Sequence, residues 1–192
     1  MKFKGVILYC VLIVQLSYGQ NISQISNKEG LSNSSIISLS QDSNGFIWVG
    51  TCDGLNLWDG ANVRHYTLSG NLIQEIIATD DGYLWIRTNY GLDRFDTRND
   101  QVEQHTKFPR VHQFAARSRN EAFFLDQGSL YGYNAQTSTF VAMAPACPML
   151  ERATYLFYDK KGFVWALSPN EISYAQVTVC QTSHPVVGAW QS

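Results

Sequence analysis

From residue 35 onward the chain alternates short apolar runs with clusters of turn-forming residues. In FIWVGT (46–51), Phe46, Trp48 and Gly50 fall on one face of an extended strand, and Ile47, Val49 and Thr51 on the other. Both faces are largely apolar, which predicts a strand covered on both sides. The runs are bounded by Asp42-Ser43-Asn44-Gly45, Asp80-Asp81-Gly82 and Asp159-Lys160-Lys161-Gly162. Each opens with Asp, whose carboxylate accepts from turn amides, and closes with Gly, which tolerates positive φ. A second set of turns, Asp53-Gly54, Tyr90-Gly91, Gln127-Gly128 and Pro169-Asn170, reverses the chain again a few residues later. No segment sustains a 3.6-residue period over three turns, so helix is expected to be minor.

The pattern repeats. FIWVGTCDGLNLWDG (46–60) aligns with YLWIRTNYGLDRFDT (83–97) and, more loosely, with EAFFLDQGSLYGYNA (121–135) and FVWALSPNEISYAQ (163–176). The shared anchors are Trp48, Trp85, Phe124 and Trp165, each followed by Leu55, Leu92, Leu130 or Ile172, and the latter four recur at intervals of 37, 38 and 42 residues. Phe124 makes the third copy one residue shorter than the others. Each anchor strand follows another strand-like run, and polar segments at 63–67 and 102–106 continue the first two copies as outer strands. A four-stranded antiparallel meander recurring about every 40 residues, buried on both faces, describes a β-propeller blade.

The expected organisation is an all-β chain with a leader at 1–19, a lead-in at 20–34, and blades at 35–71, 72–110, 111–150 and 151–192, the last incomplete. Four blades that do not close into a ring leave an apolar face and a strand edge exposed. The chain is therefore expected to be part of a larger propeller, the alternative being a closed four-bladed ring.

Composition narrows the function. The 192 residues are 45% hydrophobic, 13% aromatic and 16% charged, with a net charge of −2. No Lys/Arg cluster follows the first four residues, so a nucleic-acid partner lacks its electrostatic source. Lys2 and Lys4, the apolar run Val6 to Leu16 and the small residues Ser17 and Gly19 read as an export signal cleaved between Gly19 and Gln20, an uncleaved anchor being the alternative. Cys52, Cys147 and Cys180 would remain after cleavage, too few and too scattered for a disulfide framework, and each reads as a buried free thiol.

Candidate chemistry is sparse. The repeated Trp residues read as packing anchors, because packing needs the residue in every blade whereas a ligand needs one site. Trp58, Tyr90 and Tyr133, nearer loops or strand ends, are the candidates for stacking on a ligand. His65, His105, His112 and His184 have no metal-ligand spacing. Asp53, Asp59, Asp80, Asp81, Asp96 and Asp159 read as turn caps rather than a calcium site. No catalytic, metal or cofactor motif is expected.

Gly30-Leu31-Ser32-Asn33-Ser34-Ser35-Ile36 followed by SLSQDSNGFIWVGTCDGLNLWDG (38–60) closely resembles the first repeat of the two-component regulator propeller family. The resemblance is good in the second repeat and degrades in the third and fourth. It implies part of a seven-bladed propeller in the periplasmic sensor region of a hybrid two-component histidine kinase, anchored in the inner membrane and dimeric when complete. Such sensors respond to oligosaccharides and regulate transcription by phosphorelay. The catalytic domains of that family are not in this sequence, so the chain itself is expected not to be an enzyme. An exported propeller of the lyase or quinoprotein type is the alternative.

Overall fold

The computed structural model describes residues 23–107, 111, 113–143, 147–178 and 186–191, with only the backbone of 178, 186 and 187. The leader, its Gly19–Gln20 cleavage site, Cys10, Cys180, His112 and His184 lie outside the described residues.

Among the described residues sixteen strands form four sheets, each in simple chain order. Sheet 1 contains β1 (Ile36–Gln41), β2 (Ile47–Thr51), β3 (Gly54–Trp58) and β4 (Val63–Tyr66); sheet 2 contains β5 (Ile73–Ala78), β6 (Tyr83–Thr88), β7 (Gly91–Asp96) and β8 (Gln101–Thr106). Sheet 3 contains β9 (Gln113–Ser118), β10 (Glu121–Asp126), β11 (Ser129–Asn134) and β12 (Thr139–Ala142). A one-turn helix, α1 (Pro148–Glu151), leads to sheet 4, made of β13 (Tyr155–Tyr158), β14 (Phe163–Ser168), β15 (Glu171–Thr178) and β16 (Val186–Val187). Every pairing is antiparallel, and the sheets stack as blades of a β-propeller.

The first strands β1, β5, β9 and β13 line the inside of the arc. Serine hydroxyls join the first two of these strands: Ser38 Oγ accepts from the Ile76 amide at 2.9 Å and Ser40 Oγ from the Ala78 amide at 3.1 Å. Between blades lie three apolar layers. Trp48, Leu55 and Leu57 pack on Ile73, Ile76, Leu84, Ile86 and Phe95. Trp85 and Leu92 pack on Phe114, Ala122 and Phe124. Phe123, Leu125 and Leu130 pack on Leu156, Tyr158, Val164 and Ala166. Strand alternation thus gives every inner blade one face to its predecessor and one to its successor, which is why its strands are apolar on both sides.

Two expectations about the anchors need correction. Phe123, not Phe124, occupies the Trp position: Trp48 pairs with Leu57, Trp85 with Arg94 and Phe123 with Gly132, all in one register. The third copy is therefore not one residue shorter, and Phe124 is buried on the opposite face, against the Trp85 layer. Neighbouring residues on a strand point to opposite faces, so a one-residue slip reverses the assignment. Ile172, in turn, sits at the Leu position but is 57% exposed. It lies on the successor face of sheet 4, as do Tyr155, Phe157 and the half-buried Trp165, and no described sheet covers that face. Leu39, on the outer face of sheet 1, is likewise exposed. The four sheets form an open arc, as the repeat count predicts.

The turns are built as expected in two of three cases. Asp42 Oδ1 accepts from the amides of Asn44 and Phe46, and Asp159 Oδ1 from those of Lys161 and Phe163. Gly45 (φ 85°) and Gly162 (φ 87°) supply the left-handed residue that closes each turn. In sheet 2 the role passes to Thr79 rather than Asp80: Thr79 Oγ1 accepts from the Tyr83 amide at 3.3 Å. Asp81 Oδ1 accepts from the Thr79 hydroxyl at 2.5 Å and Oδ2 from the Arg119 amide of sheet 3 at 2.7 Å.

Candidate functional site

The four inner strands converge on a hollow of about 340 Å³. One residue from each sheet reaches it at an equivalent register: Ser38 opposite Gly50, Glu75 opposite Arg87, Gln113 opposite Leu125, and Tyr155 opposite Leu167. Gly50, Arg87, Leu125 and Leu167 each pair in turn with the Leu or Ile of the repeat. Only sheet 2 carries charge at these positions. By the logic that separates a ligand site from a packing unit, this non-repeated pair is the strongest site candidate in the arc.

Local structure places the pair. The β5–β6 register shifts between Ile73 and Glu75, so Gln74 is an extra residue on β5. Such a bulge re-aims neighbouring side chains, and Gln74 and Glu75 both reach Arg87. Arg87 Nε donates to Glu75 Oε2 at 3.2 Å, and Nη1 donates to Gln74 Oε1 at 2.8 Å and to the Val111 carbonyl at 3.3 Å. Burial pushes the Glu75 carboxyl up from its ordinary value, with the Arg87 guanidinium pulling the other way. Ile37, Phe114 and Leu156 complete an apolar wall. The hollow thus combines a desolvated charge pair, amide groups and exposed aromatic surface, the usual makeup of a small-molecule site. A larger hollow of about 570 Å³ lies between α1 and the β14–β15 turn, lined by Glu151, Arg152 and Glu171. All three are exposed and none forms an ion pair among the described residues, so that hollow offers no comparable fixed geometry.

The stacking candidates do not assemble. Tyr133 is 2% exposed, donates to Gln104 Oε1 at 2.6 Å and packs edge-on against Trp85 and Phe140. It is a core residue, because its strand position faces the interior of the sheet stack. Arg94 lies over the rings of both Trp85 and Tyr133. Tyr90 is exposed at the β6–β7 turn. Trp58, half-buried, pairs with Ile47 at the far end of β2 from the β2–β3 turn, the repeat counterpart of Tyr90's turn, so the two sit at opposite blade ends.

His65 is exposed on β4, whereas His105 Nδ1 lies 2.5 Å from Asp93 Oδ1. Asp93 is fully buried and also accepts from the amide and hydroxyl of Ser69. The same device appears one repeat earlier, where Asn56 accepts from the Ser32 amide and donates to its hydroxyl. This repetition marks it as a tie between a blade's third strand and the segment entering that blade. Among the described residues no group of three or more His, Cys, Asp or Glu is placed to hold a metal, and no helix is long and apolar enough to cross a membrane. Cys52 is exposed and Cys147 half-buried, both as free thiols; Cys52 thus departs from the expected burial because it lies in the β2–β3 turn.

Comparison with known proteins agrees with the resemblance seen in the sequence. Residues 30–53 match the two component regulator propeller family. A histidine kinase of Formosa agariphila is 41% identical over 66 residues, which make up 32% of this chain and 5% of that protein. Among solved structures, the extracellular domain of a hybrid two component system from B. thetaiotaomicron superposes with a TM-score of 0.61 at 18% identity, over 80% of this chain and 25% of its own. A second such domain from that organism superposes with a TM-score of 0.57 at 23% identity, over 73% of this chain and 20% of its own. The chain therefore spans a quarter or less of the length of each, and the structural likenesses establish the fold.

Proposed function

We propose that the chain is the N-terminal part of the periplasmic sensor of a hybrid two-component histidine kinase, contributing scaffold and ligand contacts rather than catalysis. The observation that carries this reading is the two component regulator propeller match at residues 30–53, which spans the first two strands of sheet 1. The kinase relative and the extracellular domains with the same architecture support it. Ligand binding would shift a dimeric, inner-membrane receptor between two signalling states, with oligosaccharides as the sensed class and transcription regulated through phosphorelay. A propeller alone does not specify this role, because function resides in sites carried by the fold.

The test is to reconstitute the intact receptor in vesicles and measure autophosphorylation against a panel of glycan fragments. A saccharide that changes the phosphorylation rate supports the sensor reading. An unchanged rate across neutral and acidic glycans sinks it.

A further inference from the structure

Arg87 and Glu75 leave unused groups side by side at the hollow. Three of Arg87's bonds run to Glu75, Gln74 and the Val111 carbonyl through Nε and Nη1, so Nη2 has no protein partner among the described residues. Glu75 accepts through Oε2 alone, which frees Oε1. A fixed donor beside a fixed acceptor suits two adjacent hydroxyls, each able to give and to take a hydrogen bond. An anionic ligand would meet the Glu75 carboxylate, and a cation would meet Arg87, so the pair favours an uncharged polyol. Tyr155 and Ile37, exposed on two sides of the hollow, present apolar surface to the carbon face of a ring. The volume of about 340 Å³ falls at the small end of ligand pockets, about 300–1,000 Å³.

We propose that this axial hollow is a binding subsite for one uncharged sugar unit, with Arg87 Nη2 and Glu75 Oε1 reading adjacent ring hydroxyls and Tyr155 packing on its carbon face. The choice of a sugar among polyols rests on the sensor reading above; the preference for an uncharged ligand rests on the pair itself.

Calorimetric titration of the full chain with maltose, cellobiose and digalacturonate tests it. At least one neutral disaccharide binds, and digalacturonate binds at least about tenfold more weakly, as expected for a carboxylate facing a carboxylate. Glu75→Gln and Arg87→Met each weaken the neutral sugar by about tenfold, the scale of one hydrogen bond to a charged group. Tyr155→Ala, whose exposed ring supports no core layer, weakens it by about fivefold with an unchanged denaturation midpoint, which guards against misfolding of the Arg87 variant. No binding of either neutral sugar, equal or tighter binding of digalacturonate, or full affinity in both Glu75→Gln and Tyr155→Ala overturns the subsite. Autophosphorylation of the intact receptor separates the two claims. Sugar bound in the hollow with an unresponsive kinase defeats the sensor role alone, whereas a responsive kinase with unaltered affinity in the variants defeats the subsite alone.

Discussion

The indole Nε1 of Trp48 donates to Asp42 Oδ2 at 2.9 Å, and the same bond at the same length joins Trp165 to Asp159 three repeats later. One carboxylate therefore does two things: Oδ1 organises the turn, and Oδ2 fixes the rotamer of the ring that anchors the blade. In sheet 2, where Thr79 takes the Asp place, the Trp85 indole instead donates to the Ser118 carbonyl of sheet 3. The anchor is kept and its polar edge finds a different partner, because a buried N–H left unpaired is costly.

Asp42→Ala is expected to destabilise the chain by about 1–3 kcal/mol, since it strips a buried indole and two turn amides of their acceptor. Asp159→Ala should cost less, because Trp165 lies on the open face of sheet 4 and water can replace the acceptor. Urea denaturation of both variants against the parent checks the order; equal losses would contradict it.

Packing between blades predicts a second contrast. Leu92 is buried against sheet 3 while Ile172, its repeat counterpart, is exposed. Leu92→Ala should cost about 2–5 kcal/mol and Ile172→Ala about 0.5 kcal/mol or less in this chain. The shift in denaturation midpoint measures both.

Gly50 approaches sheet 2 closely: a β-carbon added there would lie 2.6 Å from Ile73 Cγ2 and 2.9 Å from its Cβ. Gly50→Val is expected to force sheets 1 and 2 apart at a loss of about 1–3 kcal/mol. A parallel Gly60→Val should act through backbone strain alone, because Gly60 has φ 100° and open space around it. Adding the small-for-large change Ile73→Ala to each variant distinguishes them: it relieves part of the Gly50→Val loss and none of the Gly60→Val loss.

The acid limb of stability should depend on Asp96. Its carboxylate is held at a pKa of about 2, first by the hydrogen bond from the Arg98 guanidinium and then by the Arg98 amide and the Asn99 side chain, against the opposing effect of burial. An unfolded Asp titrates near about 3.9, so the folded pKa is depressed. The resulting stabilisation is fully present above about pH 4 and is lost as pH falls toward about 2. Asp96→Asn should remove this part of the pH dependence, flattening the plot of urea midpoint against pH between about 4.5 and 2.5. An unaltered slope would refute the assignment.

The repeat was legible in the sequence because Trp48, Trp85 and Trp165 recur with Leu55, Leu92 and Ile172 seven positions on, and because glycine closes the turns. The third copy was less legible. Two adjacent phenylalanines are equally apolar, and only strand pairing shows which of them faces sheet 4. Tyr133 read as a strand-end aromatic, yet its ring is covered by Phe140 from the next strand and Arg94 from the preceding sheet. Asp93 and His105 were ordinary residues on separate strands until β7 and β8 paired them.

By itself, the amino-acid sequence determined the all-β class and the four meanders, since hydrophobic alternation and turn chemistry are local and repeat with a fixed period; the structure decided that the four sheets form an open arc and not a closed ring. Only the tertiary structure decided that Glu75, Arg87, Gln113 and Tyr155 meet at one hollow. They come from three blades, and although Glu75, Gln113 and Tyr155 recur at the repeat's own intervals of 38 and 42 residues, their side chains have nothing in common, and a bulge at Gln74 sets the aim of the charged pair. Convergence of that kind depends on how sheets stack around an axis, which no local pattern encodes.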